Sequence, residues 1–390
     1  MKPILSIISL STVSAILVPP PTGPYDVAMK VQSVTDSSRP ADPFEANGSP
    51  KGRRVLFSTF VPVEKGAGGS SCPLATVPYM TPMVAAAYGK QVAQAGLPET
   101  LFASFEMQVC DLTKMNPCGG GPKTNKKYPV LLFTPGLAES RLLYGAAARS
   151  LASQGYVVVT VDHPFEANFV EFPDGSATAG RNISSTDEPI KTKAMQVRAE
   201  DLSYVIDQLQ NTTLTKSLLG GLARSLDLKR LAVYAHSVGG GAAAILARND
   251  KRVRGGVDLD GQVVEPIRSQ GLNKPFLLAG RYGHSAPDSS DPTWNQFWPH
   301  LTGSRMELAI NGTAHGSYTD RPLLLSALGL PDPVLDQVAG EIGSVRGRRL
   351  ETIVNDVLMS FFDLVFYKNE QKLKGLPKTY TEVSITRSSL

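Results

Sequence analysis

A chain of 390 residues, 42% hydrophobic and 19% charged, has the apolar material for one large enzyme core or roughly two to three small domains. That composition excludes a peptide-sized scaffold and a disordered polyelectrolyte. The 39 basic and 35 acidic side chains leave +4, spread thinly in short clusters such as Lys51-Gly52-Arg53-Arg54 and Arg346-Gly347-Arg348-Arg349. The basic stripe of a nucleic-acid-binding protein is missing, so nucleic acid is not an expected partner.

Met1-Lys2 precedes an apolar stretch from Pro3 to Val18, interrupted by serines and too short to span a bilayer. With Val13-Ser14-Ala15 as a small-residue cleavage site, residues 1–18 read as a secretory signal peptide. The other reading is a buried N-terminal strand or helix; Pro19-Pro20-Pro21 argues against a continuing helix. No later stretch offers a transmembrane run, and the expected location is outside the cell. Sequons at Asn47, Asn182, Asn211 and Asn311 fit an export route, with Asn182 and Asn211 the better glycosylation candidates. Cys72, Cys110 and Cys118 lack zinc-site spacing and predict one disulfide with a spare thiol, the pairing left open. No metal and no cofactor are expected.

Residues 19–127 read as an N-terminal extension carrying the first antiparallel strands, in Arg54–Val63 and Leu101–Leu112. From Tyr128 the pattern changes. YPVLLFTPG is a continuous apolar run of the kind buried on both sheet faces, and a helix over Ser140–Gln154 follows it. Strands at Tyr156–Val161, Arg230–Tyr234, Val253–Leu259, Pro275–Gly280 and Met306–Ile310 then alternate with helices at Lys193–Gln210, Gly239–Asn249 and Leu350–Tyr367. This order predicts an α/β core over 128–370, a mostly parallel sheet with helices on both faces. Residues 163–191 exceed what a crossover needs and read as a surface insertion, and 371–390 read as a tail.

Between the strand LAVY and a glycine-initiated helix lies Ala235-His236-Ser237-Val238-Gly239, a Gly-X-Ser-X-Gly elbow with alanine at its first position. Such a turn projects the serine hydroxyl above the sheet at a helix N-terminus. A serine needs a base, and the base needs a carboxylate to orient it. Of five histidines, His236 should point away from its neighbour and His163 precedes the nucleophile. His284 and His300 fall before the last predicted strand, and His315 follows it in a small-residue loop. His315 is therefore the chosen base. For the acid, Asp260, Asp288, Asp291 and Asp258 all remain open. The oxyanion donors should be the N–H of Val238, after the serine, and of Leu137 in the Thr134-Pro135-Gly136-Leu137 turn.

Several stretches together resemble the secreted platelet-activating-factor acetylhydrolases, which are α/β-hydrolases. These are VLLFTPGLAESRLLYGAAARSLASQGYVVVTVDHP, AHSVGGG, GGVDLDGQVVEP and INGTAHGSYTD, and the likeness covers about Tyr128 to Phe366. The resemblance implies the α/β-hydrolase fold, Ser237 as nucleophile, His315 as base, Leu137 and Val238 as oxyanion donors, and Asp260 as the acid. Pro135 replaces the family's histidine and Ala235 its elbow glycine.

The expected activity is a secreted, calcium-independent serine esterase that cleaves a short sn-2 acyl ester of a phospholipid through an acyl-enzyme. The lipase-like elbow keeps a lipase, cutinase-like or polyester hydrolase as an alternative, and a non-catalytic binding protein on the same scaffold is a third. The expected partner is a small ester or phospholipid. Trp294, Phe297 and Trp298 with Leu323, Leu324 and Leu325 read as core more readily than as a lipid-surface contact.

Overall fold

The computed structural model describes residues 15–39, 44, 52–65, 72–94, 96–114, 126–181, 183 and 186–390. In chain order the strands are β1 (Ile16–Leu17), β2 (Asp26–Asp36), β3 (Arg53–Val63), β4 (Leu74–Pro78), β5 (Phe105–Cys110), β6 (Tyr128–Thr134) and β7 (Val157–Asp162). They continue with β8 (Phe169–Glu171), β9 (Ala177–Ala179), β10 (Leu226–His236), β11 (Val253–Leu259), β12 (Phe276–Arg281), β13 (Arg305–Ile310) and β14 (Val383–Ser389). A nine-stranded sheet runs β14-β13-β12-β11-β10-β6-β7-β3-β2. From β7 to β13 every neighbour is parallel, and β3, β2 and β14 add antiparallel edges. This is the mostly parallel sheet expected from the alternating pattern, in the α/β-hydrolase fold that the resemblance implies.

Strand β6 explains why the parallel strands read as unbroken apolar runs. Its side chains alternate, Val130 and Leu132 into one hydrophobic layer and Leu131 and Phe133 into the other. The first layer is closed by helices Glu188–Gln210 and Val238–Asn249, the second by Gly145–Ser153 and Gly347–Tyr367. Helix Gly347–Tyr367 presents Leu350, Ile353, Val357, Phe361 and Leu364, a spacing of three to four residues that keeps them on one face. Chain order reverses direction between β6 and β10, and crevices at such switch points, beyond the carboxyl ends of the strands, are where ligands bind in open α/β sheets.

The structure departs from the sequence reading at the margins. Leu101–Leu112 contributes β5 to a separate sheet, β1-β5-β4, and not to the main one. Residues 371–390 are no loose tail: helix Gln371–Thr379 leads into β14, which pairs with β13. The long central helix starts at Glu188, earlier than Lys193, because Asp187 caps it by accepting the Ile190 N–H and proline sits in its first turn. Within 163–191, β8 and β9 form a hairpin, but His163 and Glu166 are buried inside the molecule. Most of residues 1–18 lies outside the described residues; Ile16 and Leu17 pair with β5 and Val18 is buried.

Cys72 and Cys110 form the disulfide, pinning the start of β4 to the end of β5. Asp26 lies beside it and accepts the Cys72 N–H, and with both sulfurs joined neither offers a thiolate to a metal. Cys118, Asn47 and Asn182 lie outside the described residues. Asn211 and Asn311 are exposed, and Asn211 caps a helix through its Oδ1. Trp294, Phe297, Leu323 and Leu324 are core residues, and Trp298 and Leu325 are half-buried. Among the described residues no helix is long and apolar enough to cross a membrane.

Candidate active site

Ser237 follows β10 directly and precedes the helix Val238–Asn249, with φ 58° and ψ −130°. A non-glycine residue in that region is strained, and the surrounding packing holds it there. A Cβ on Gly239 would stand 2.6 Å from the Thr134 carbonyl oxygen and 3.1 Å from the Ala235 methyl. Glycine is therefore required at 239, while Ala235, fully buried, is tolerated at the first position of the elbow.

The structure brings together the three side chains chosen from the sequence. His315 Nε2 lies 2.9 Å from Ser237 Oγ, and His315 Nδ1 lies 2.7 Å from Asp260 Oδ2. His315 is half exposed on its loop after β13, whereas Asp260 is buried. Burial alone would raise the Asp260 pKa. Hydrogen bonds from His284 and His315, with the charge of Arg281, outweigh it and hold the carboxyl well below the usual range. An ionised Asp260 accepts, so Nδ1 of His315 carries the proton and the Nε2 lone pair faces the serine hydroxyl.

The rival carboxylates are elsewhere. Asp288 is exposed. Asp291 stands 3.7 Å from His284 Nε2. Asp258 accepts from Trp294 Nε1 at 3.0 Å, and burial pushes its carboxyl well up. Strand alternation along β11 ends at Leu259, because Asp260 itself adopts φ 54°, so Asp258 and Asp260 do not share a strand face.

Sequence reasoning passed over several groups that support these three. His284 is buried, stacked on Trp294 with ring centroids 3.8 Å apart, and reaches Asp260 Oδ1 at 3.0 Å. The Arg281 N–H donates to the same oxygen at 2.9 Å, and its guanidinium donates to Oδ2. No motif marks these residues; Arg281 ends β12, His284 follows it, and both meet Asp260 because β11 and β12 are neighbours.

His236 points away from Ser237, as expected, and has a partner on each nitrogen. Its Nε2 lies 3.0 Å from the His315 carbonyl oxygen and its Nδ1 2.8 Å from the Tyr144 hydroxyl. Burial, with the neighbouring His315, pushes its pKa down to about 3, so it is neutral. A carbonyl can only accept, which puts the proton on Nε2. Nδ1 therefore accepts from Tyr144, whose oxygen in turn accepts the Gly136 N–H at 3.1 Å. One chain of hydrogen bonds thus runs from the loop after β6 to the backbone of His315.

That loop is fixed from below by Arg198, which is fully buried. Its guanidinium donates to the carbonyls of Pro135 and Gly136, the latter at 3.0 Å, and to Glu166. A β-turn closes from Glu139 N–H to the Gly136 carbonyl (3.2 Å), with Ala138 at φ 62°. The Gly136 carbonyl and the Leu137 N–H belong to one trans peptide and point in opposite directions. Because the carbonyl is held by Arg198, the Leu137 N–H faces the other way. A Cβ on Gly136 would touch Ser237 Cβ at 3.4 Å, so this peptide lies against the serine. His163 belongs to the buried support, with Nδ1 2.7 Å from Asp201 and Nε2 2.8 Å from Thr134 Oγ1. His300 is exposed.

The loop after His315 is tied down through Asp320. It accepts the N–H groups of Ala146 (2.7 Å) and Ala147 (3.0 Å) at the start of helix Gly145–Ser153, and the Tyr79 hydroxyl at 2.8 Å. Burial pushes its carboxyl up to about 7, against the pull of those three donors. A folded pKa above the unfolded 3.8 means that the folded chain holds this proton more tightly. The resulting stability is fully present below about pH 4 and is lost as pH rises through about 7, on the order of 4 kcal/mol in all. Thermal unfolding followed across that window should show the slope in the native chain and a flatter profile in Asp320→Asn. Identical slopes would remove Asp320 as its source.

Residues 94–330 match the family model described as platelet-activating factor acetylhydrolase, isoform II. The chain belongs to that family. The matched span contains Leu137, Ser237, Val238, Asp260 and His315. Among relatives of platelet-activating factor acetylhydrolase type, a "Probable 1-alkyl-2-acetylglycerophosphocholine esterase" of Arthroderma benhamiae is 26% identical over 96% of this chain and 95% of its own length. The platelet-activating factor acetylhydrolase of Cavia porcellus is 25% identical over 67% of this chain and 61% of its own. A solved ferulic acid esterase from Streptomyces cinnamoneus superposes with a TM-score of 0.74 and 26% identity, over 96% of this chain and all of that one.

Proposed function

We propose that the chain is a serine esterase that hydrolyses a short acyl ester at the sn-2 position of a phospholipid. Ser237 attacks the ester carbonyl as His315 Nε2 takes its proton, and the N–H groups of Leu137 and Val238 receive the developing oxyanion. The imidazolium, stabilised by Asp260, then protonates the leaving alcohol. Water enters at the exposed side of His315, gives up a proton to Nε2 and releases the acid from Ser237. What carries this reading is the unbroken hydrogen-bonded line from Ser237 through His315 to Asp260, at 2.9 and 2.7 Å. The family membership and the names of the relatives support the phospholipid substrate. The disulfide supports passage through an oxidising compartment, in keeping with export.

The whole-length likeness to a ferulic acid esterase favours a second reading, an aromatic acyl ester as substrate. Initial rates on sn-2 acetyl, butyryl and palmitoyl phosphocholines and on methyl ferulate separate the readings. Hydrolysis that falls steeply with acyl length, and is weak on methyl ferulate, is the expected result. Preference for palmitoyl would point to a lipase, and preference for the ferulate to the second reading.

A further inference from the structure

At the end of the sheet opposite Ser237, where the parallel strands begin, six cations gather from four segments of the chain. Lys229 and Arg230 lie where β10 shifts register between Asp227 and Leu231, Lys251 and Arg254 flank the first residue of β11, Lys274 precedes β12, and Lys368 ends the helix Gly347–Tyr367. They line a cavity of about 360 Å³, with Val253 and Phe366 supplying apolar wall and no carboxylate among the lining residues.

Most of this charge is unanswered. Arg230 is paired with Asp227 at 2.6 Å. Lys274 donates to the Asp250 carbonyl oxygen at 2.7 Å, and the Asp250 carboxylate is taken by Arg252. Among the described residues, Lys229, Lys251, Arg254 and Lys368 have no ion-pair partner. Burial lowers the Lys274 pKa; the Asp250 charge opposes that shift and the Arg254 charge adds to it. Charges of one sign around a concavity with low-dielectric walls focus the field into it and raise the local concentration of counter-ions.

We propose that this pocket binds a compact polyanion, a small molecule bearing two or more phosphate or sulfate groups. Four cations without an ion-pair partner around one cavity carry more charge than a single phosphate or sulfate group neutralises. The shape is concave where a bilayer is flat, and a membrane docked on this face would leave Ser237, at the carboxyl ends of the strands, pointing away from the lipid. The site is separate from the esterase chemistry and does not rest on it.

Calorimetric titration of the full chain with tripolyphosphate at low ionic strength tests the proposal. Saturable one-to-one binding is expected, weakened at least about tenfold in Lys251→Glu/Arg254→Glu and to a lesser degree in Lys251→Gln/Arg254→Gln. Lys90→Glu, an exposed charge on another helix, should bind like the native chain, and tripolyphosphate should raise the Tm of the native chain and not that of the double glutamate variant. Esterase rates of all variants serve as the folding control. Absence of saturable binding, or equal loss in Lys90→Glu, would overturn the pocket. Pocket-dependent sedimentation with phosphoinositide vesicles at affinities above that for tripolyphosphate would overturn the compact soluble ligand in favour of a lipid headgroup.

Discussion

Asp260→Asn is expected to lower kcat for ester hydrolysis by about 10⁴-fold with the fold retained. The native carboxylate accepts from His315 Nδ1 at 2.7 Å and so keeps the Nε2 lone pair on Ser237. An asparagine amide can donate to Nδ1, which moves the imidazole proton to Nε2 and removes the base. His284 and Arg281 would lose their anionic partner as well, and some loss of Tm is expected with the loss of rate. Asp288→Asn, at an exposed position, should stay within about twofold of the native rate. Steady-state kinetics on a short-chain ester, with circular dichroism for folding, check both. A larger loss in Asp288→Asn would relocate the acid.

Arg198→Met should damage both stability and turnover, for one structural reason. The substitution strands Glu166 as an uncompensated buried charge, and breaking a buried pair on one side typically costs about 3–5 kcal/mol. It also releases the carbonyls of Pro135 and Gly136, and with them the orientation of the Leu137 N–H. Loss of a single oxyanion donor costs about 10² to 10³ in kcat, and KM for a small ester should change little. Arg198→Lys should recover part of the stability, because it restores the charge opposite Glu166. It should recover less of kcat, because an ammonium lacks the planar fork that reaches both carbonyls and the carboxylate. A folded Arg198→Met enzyme with native kcat would show that the loop holds its shape without the guanidinium.

The strands of the core were legible because parallel strands buried on both faces leave unbroken apolar runs, as YPVLLFT does in β6. Ser237 and His315 were legible because a sharp turn demands small neighbours and because, of five histidines, only His315 follows the last predicted strand in a small-residue loop. The choice among Asp258, Asp260, Asp288 and Asp291 was not, since it depends on the left-handed backbone at Asp260, which no side-chain pattern announces. Resemblance, and not periodicity, had singled out Asp260. Tyr144, Arg198, Arg281 and His284 were invisible for a different reason. Each acts across a contact between segments distant in sequence, and an isolated arginine or tyrosine carries no sign of the carbonyl or ring it will meet. Strand β14 was missed because VSITRSS, exposed along much of an edge, lacks the apolar face that marks a buried strand. The basic pocket escaped the charge reading in the same way, its six cations being dispersed between residues 229 and 368.

The chemistry proposed for this chain rests on Ser237 being the group that reacts. Treatment with an alkyl fluorophosphonate, followed by peptide mass spectrometry, should place one adduct per chain on the peptide containing Ser237, with none formed in Ser237→Ala and slow formation in His315→Ala. An adduct that forms at the native rate in Ser237→Ala, or that maps to another serine in the native chain, would contradict it.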